Sequence, residues 1–183
     1  MSEPQKTITI LEPDFMETEI MSKNNIDFVK NEFIALDELE DYEAWSLKEY
    51  NSYFGKRPIG QKPYPTLALN IDMSEVINLL SSLNIPQFKS VLPYYGGVEY
   101  SSEIENSIGF GELRKGIIIT PENKIAKYIW FDCTNWKDAH KSSLLNGLYE
   151  LGKKYDMILV QWYTRTIYDL TNFSEVKNFL NGK

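Results

Sequence analysis

The pattern of apolar and polar positions is most regular in the last quarter of the chain. Apolar side chains at helical spacing predict a helix over residues 138–154, with Gly152-Lys153-Lys154 as its stop signal. The apolar run Met157–Tyr163 predicts a buried strand, Thr164-Arg165 a tight link, and Thr166–Leu170 a returning strand. The apolar positions of the helix are Leu144, Leu145, Leu148, Tyr149 and Leu151.

Two further helices are predicted from their first turns. Asp72 precedes Glu75 by three residues, which is the capping-box spacing with Asp as the cap, and Pro86 lies just beyond the apolar face that follows. Asn172 and Glu175 repeat this spacing near the end of the chain. We therefore expect one helix after residue 72 and another after residue 172.

The intervening segments read as strands. Thr66–Ile71 is a strand candidate, and Ile117–Thr120 with Ile125–Asp132 predicts a hairpin around the link 121–124. From residue 116 onward the predicted order is strand, strand, helix, strand, strand, helix. This order predicts an α+β fold, a single domain with a mostly antiparallel sheet flanked by helices.

Charge is distributed unevenly along the 183-residue chain. Residues 12–49 contain twelve acidic residues and three lysines, a net charge of −9, while the remainder has sixteen basic and fourteen acidic residues. Within one domain spanning 1–183 we thus distinguish an acidic N-terminal subregion (1–54), a Gly/Pro-rich connection (55–65) and a mixed α+β body (66–183). Prolines in the connection bias it away from helix.

Aromatic residues are interspersed among the acidic ones between residues 37 and 50. Tyrosine and tryptophan are enriched at binding hot spots, because they combine a large contact area with a polar group. An alternative is an amphipathic helix that docks these rings on the core and leaves an acidic face in solvent. The candidate partner-binding residues are Asp37, Glu38, Glu40, Asp41, Tyr42, Glu43 and Trp45.

Composition argues against several functional classes. The formal net charge of −7 disfavours nucleic-acid binding, and the apolar runs are too short to cross a membrane. Cys133 and His140 are the only residues of their types, so zinc patterns that need paired ligands are absent, and no metal or cofactor is expected. A single cysteine and the lack of a signal-peptide pattern favour a cytoplasmic protein.

One cluster leaves an enzymatic alternative open. Asp132 and Cys133 lie seven or eight residues before His140 and bring together the residue types of an activated thiolate. A small cytosolic hydrolase or transferase using this Cys133/His140 pair, or carboxylates, is the second function class. The competing interpretation is a buried small cysteine and a surface histidine.

The C-terminal third also resembles the end of small bacterial toxin-immunity-type proteins. The resemblance runs from Leu144-Leu145 through Leu159-Val160-Gln161-Trp162 to Tyr168-Asp169-Leu170, and it rests mainly on hydrophobic pattern. It implies a non-enzymatic binding protein, an immunity protein that neutralises a basic toxin domain. No functional residue is transferred by it, so the binding surface is predicted from charge and from the aromatic residues among the acidic ones.

Overall fold

A computed structural model describes residues 7–11, 18–40, 62–95, 98–99, 106–112, 115–131, 138–162 and 164–181. These residues form an α+β domain of ten strands and four α-helices. The helices are α1 (Ile26–Glu40), α2 (Met73–Ser82), α3 (Asp138–Tyr155) and α4 (Phe173–Leu180). The strands are β1 (Thr7–Leu11), β2 (Thr18–Ser22), β3 (Gln87–Phe88), β4 (Ser90–Tyr95), β5 (Val98–Glu99), β6 (Ile108–Glu112), β7 (Lys115–Glu122), β8 (Ile125–Phe131), β9 (Met157–Gln161) and β10 (Thr166–Asp169).

The main sheet has seven strands in the order β10-β9-β2-β8-β7-β6-β3. Every neighbouring pair in it is antiparallel, which confirms the predicted fold class. A smaller sheet joins β1 to β4 in parallel and β4 to β5 in antiparallel orientation. The strand β2, which the sequence did not predict, lies between β9 and β8, so the acidic subregion contributes an interior strand of the main sheet.

One face of the main sheet packs against α2, α3 and α4. Strand residues alternate between the two faces, and Ile20, Ile129 and Leu159 are fully buried on this one. The helices contribute buried apolar side chains, which include Val76, Leu80, Leu144, Leu148, Leu151, Val176 and Phe179. Here the predicted apolar face of α3 is confirmed. This face, the three-helix face below, holds the larger apolar cluster.

The opposite face, called the α1 face below, carries a smaller apolar cluster beneath α1. Met21, Ile158 and Val160 point to this side of the sheet and contact buried Val29. Phe33 of α1 meets Trp162 edge to face, with ring centroids 5.7 Å apart and an interplanar angle of 82°. α1 is therefore fixed over the β2–β9 half of the sheet.

Local sequence signals set the element boundaries. Asp72 accepts a hydrogen bond from the Ser74 amide at 2.7 Å, and Asn172 accepts one from the Ser174 amide at 3.0 Å, so both predicted N-caps are confirmed. The predicted hairpin is also confirmed, but its link is only Asn123-Lys124. Both residues have positive φ, 51° and 68°, as a two-residue turn between twisted strands requires.

Two local predictions are wrong. Thr66–Ile71 is not a strand, because Thr66–Leu69 forms a 3₁₀ turn closed by hydrogen bonds from Ala68 to Pro65 and from Asn70 to Leu67. The helix predicted over 138–154 is confirmed as Asp138–Tyr155, but Gly152 lies inside it, and the helix ends where Asp156 adopts a left-handed φ of 51°. Gly152 instead gives room for the close approach of Leu170, since a Cβ there would lie 2.2 Å from the Leu170 Cβ.

Candidate partner-binding face

The start of α1 is fixed by the end of β2. A 3₁₀ turn at Lys23–Asn25 follows the strand, and the Ser22 Oγ accepts a hydrogen bond from the Asn24 amide at 3.3 Å. The Lys23 amide donates to the Asp156 carbonyl at 2.9 Å, which ties the turn to the start of β9. The helix then runs back across the sheet to Phe33, which lies at the Trp162 end of β9.

Negative charge is concentrated where α1 ends. Asp37, Glu38 and Glu40 belong to the end of this helix, and its last turn contains no basic residue. The C-terminus of a helix already carries a partial negative charge from its unpaired carbonyls. Carboxylates at this position therefore add to the local negative potential, whereas lysine or arginine would offset it. The side chains at 36–40 lie outside the described residues.

The other predicted site residues also lie outside what the structure describes. Asp41, Tyr42, Glu43 and Trp45 follow α1 directly along the chain. Asp132 and Cys133 follow β8, and His140 belongs to the first turn of α3 with its side chain undescribed. Both the acidic binding surface and the Cys133/His140 alternative therefore remain predictions.

A buried ion pair on the α1 face was not predicted. Glu19 is an interior residue of β2 with 0% exposure, and the Lys62 ammonium group donates a hydrogen bond to its Oε1. The Lys62 Nζ also lies 5.9 Å from the ring centroid of Tyr128 and 6.0 Å from that of Trp130, within cation–π range. One of the twelve acidic residues in 12–49 thus lies inside the domain, beside a lysine from the predicted connection.

A second buried polar contact lies next to this pair. Asn25, at 0% exposure, donates through Nδ2 to the Tyr64 carbonyl at 2.9 Å and accepts from the Tyr64 amide at 3.1 Å. The side-chain amide thereby pairs with the backbone of Tyr64 much as a neighbouring strand would. This contact fixes residues 62–65 beside the start of α1. The sequence pattern of β2 and of the turn after it gave no signal for the Glu19–Lys62 or the Asn25–Tyr64 contact.

Other ion pairs join secondary-structure elements at the surface. Lys23 Nζ lies 2.7 Å from Asp169 Oδ2 and connects the turn before α1 to the edge strand β10. Partial burial opposes ionisation of Asp169, but hydrogen bonds from Lys23 and Thr171 outweigh it and lower the pKa of this carboxyl. Hydrogen bonds from Lys154 and from the Tyr155 hydroxyl lower the pKa of Glu75, and they link α2 to α3.

Exposed aromatic side chains occur near the Glu19–Lys62 pair. Tyr128 is 41% exposed and lies on the α1 face of β8, while Tyr64 is 49% exposed and lies two residues after Lys62. Among the residues that the structure describes, no three His, Cys, Asp or Glu side chains gather as a metal site would require. Nor does any helix in the described part of the chain have the length and apolarity to cross a bilayer.

Comparisons with protein-family models, with curated proteins and with solved structures give no match for this chain.

Proposed function

We propose that this chain is a non-enzymatic binding protein, an immunity protein that neutralises a basic bacterial toxin in the cytoplasm. The observation that carries the proposal is the net charge of −9 in residues 12–49 against +2 in the rest of the chain. α1 ends within this acidic region and has no basic residue in its last turn. A field this uneven favours encounter with a cationic partner in one orientation.

The described contacts refine which charges belong to the proposed surface. Glu19 is buried beside Lys62, and the ammonium of Lys23 is held by Asp169, so neither Glu19 nor Lys23 contributes a free surface charge near α1. The proposed contact residues are those after the middle of α1: Asp37, Glu38, Glu40, Asp41, Tyr42, Glu43 and Trp45. In this arrangement the carboxylates attract the partner, and Tyr42 with Trp45 supplies the desolvated contact area.

Co-expression with the product of the adjacent reading frame tests the proposal. We expect this chain to restore growth of cells that produce that protein, and to co-purify with it. The double variant Cys133→Ala/His140→Gln should protect and co-purify like the wild type, because the proposed contacts do not include either side chain. Loss of protection by this variant, with its circular-dichroism spectrum and melting temperature unchanged, would favour the hydrolase or transferase instead.

A further inference from the structure

The main sheet has a short junction between β2 and β8. Among the residues that the structure describes, these strands pair through Glu19 with Trp130 and Ile20 with Ile129, whereas β2 pairs with β9 over all five of its residues. The junction joins the group β10-β9-β2 to the group β8-β7-β6-β3. Few backbone hydrogen bonds therefore hold the two groups of strands together at this point.

Residues 62–71 cross this junction. Lys62 binds Glu19 of β2 and lies over the rings of Tyr128 and Trp130 of β8. The 3₁₀ turn at Thr66–Leu69 lies against both β8 and β2. At the far end of the segment, the Ala126 amide of β8 donates to the Ile71 carbonyl at 2.9 Å.

The segment is held at a few points, and half of its ten residues are exposed. Its anchors are the Glu19–Lys62 ion pair, the two Asn25–Tyr64 hydrogen bonds, buried Thr66, and Leu69 and Ile71, which pack in the three-helix cluster. The exposed residues are Pro63, Tyr64, Pro65, Ala68 and Asn70. A segment with few buried contacts and exposed backbone opens more readily than the core around it.

We propose that residues 62–71 form a releasable clamp across the β2–β8 junction, and that the Glu19–Lys62 ion pair keeps it closed. Glu19 is fully buried in the sheet, and the ammonium group of Lys62, which this segment brings to it, stabilises its charge. Release frees residues 62–68 and uncovers the Glu19 carboxylate and the rings of Tyr128 and Trp130, while Leu69 and Ile71 stay packed in the three-helix cluster. The inference does not depend on the proposed function.

Amide hydrogen exchange of the full chain, followed by NMR, tests the clamp. The double variant Glu19→Gln/Lys62→Met removes both charges together, so that no unpaired carboxylate is left in the sheet. We expect the amides of Tyr64, Ala68 and Asn70 to exchange about tenfold faster or more than in the wild type. The Leu170 amide, which donates to the Met157 carbonyl away from the junction, should change by less than about twofold.

Matched variants separate the clamp from a general effect on stability. Lys62→Arg keeps a cation and should retain slow exchange, while Asn25→Ala removes only the second anchor and should speed exchange at Tyr64 and Ala68. Glu75→Gln/Lys154→Met removes an exposed ion pair, 51% and 50% exposed, and should leave both amides unchanged. Unchanged exchange in the first double variant, equal acceleration at Leu170, or loss of the folded state would each overturn the clamp.

Discussion

The two faces of the main sheet differ in what they bury. On the three-helix face, residues such as Ile20, Ile129 and Leu159 join one continuous apolar cluster with α2, α3 and α4. The α1 face has a smaller apolar cluster and, beside it, a buried carboxylate, its lysine partner and a half-exposed tyrosine. The three-helix face therefore accounts for most of the apolar burial, and the α1 face accommodates polar groups at the cost of stability.

This difference suggests a division of roles. Apolar packing is non-directional, and its contribution grows with the apolar area that is buried. A face with a large apolar cluster can therefore stabilise the whole domain. Buried polar groups contribute only when they keep their partners, and exposed aromatic or acidic groups contribute little to folding. Binding residues on the α1 face would thus impose the least cost on the fold.

The largest expected effect separates two adjacent residues of β8. Ile129→Ala should destabilise the protein by about 3–4 kcal/mol, because it leaves a cavity in the three-helix cluster. Tyr128→Ala, on the α1 face, should cost less than about 1 kcal/mol, since its ring is already half exposed. Urea unfolding of both variants measures the difference. Equal losses would remove the distinction between the faces.

A smaller effect concerns how closely α3 packs. Gly152→Ala should cost about 2–3 kcal/mol, because its Cβ would meet the Cβ of Leu170 at 2.2 Å and the Leu170 carbonyl oxygen at 2.5 Å. Gly147→Ala is the matched control within the same helix. Its Cβ would meet only side-chain methyl groups at 3.1 Å or more, and better helix propensity offsets the contact by about 1 kcal/mol. In thermal unfolding, the melting temperature of Gly152→Ala should lie well below that of Gly147→Ala.

The smallest effect is the acid dependence of the Lys23–Asp169 pair. Because the folded-state pKa of Asp169 is lowered, its contribution is present above the unfolded pKa and is lost as pH falls through the folded value. Asp169→Asn should remove about 0.5 kcal/mol at neutral pH, a value reduced by solvent screening, and should flatten the stability curve between about pH 5 and pH 2. Glu150→Gln serves as an exposed control. An unchanged curve for Asp169→Asn would show that the pair is energetically silent.

Much of the body, residues 66–183, could be predicted from its sequence. Local signals decide these elements: Asp72 and Asn172 cap helices, and the leucines of α3 recur at the helical period. The strand predicted at Thr66–Ile71 failed because its apolar residues follow Pro65, and the chain closes a 3₁₀ turn there before Asn70 reverses direction. Apolar composition in a short segment did not distinguish the two conformations.

The buried ion pair could not have been predicted in the same way. Glu19 and Lys62 are 43 residues apart, and their pairing depends on how β2 inserts between β8 and β9. Within Thr18–Ser22, a glutamate between a threonine and an isoleucine reads equally well as a solvent-facing position. The acidic residues between Asp37 and Glu43 were proposed from charge alone. The net charge of a region indicates its electric field but not its geometry.

The rate of association with a basic partner tests the central proposal most directly. We would mix the product of the adjacent reading frame with wild-type protein and with a variant that reverses Asp37, Glu38, Glu40, Asp41 and Glu43 to lysine, by stopped flow at low and high salt. A charge-matched control reverses Glu99, Glu103, Glu105, Glu122 and Glu150. We predict that the first variant associates at least about tenfold more slowly at low salt, that the difference shrinks as salt rises, and that the control is affected much less. Equal slowing by both variants, or no slowing by either, would contradict a partner-binding role for the acidic residues between Asp37 and Glu43.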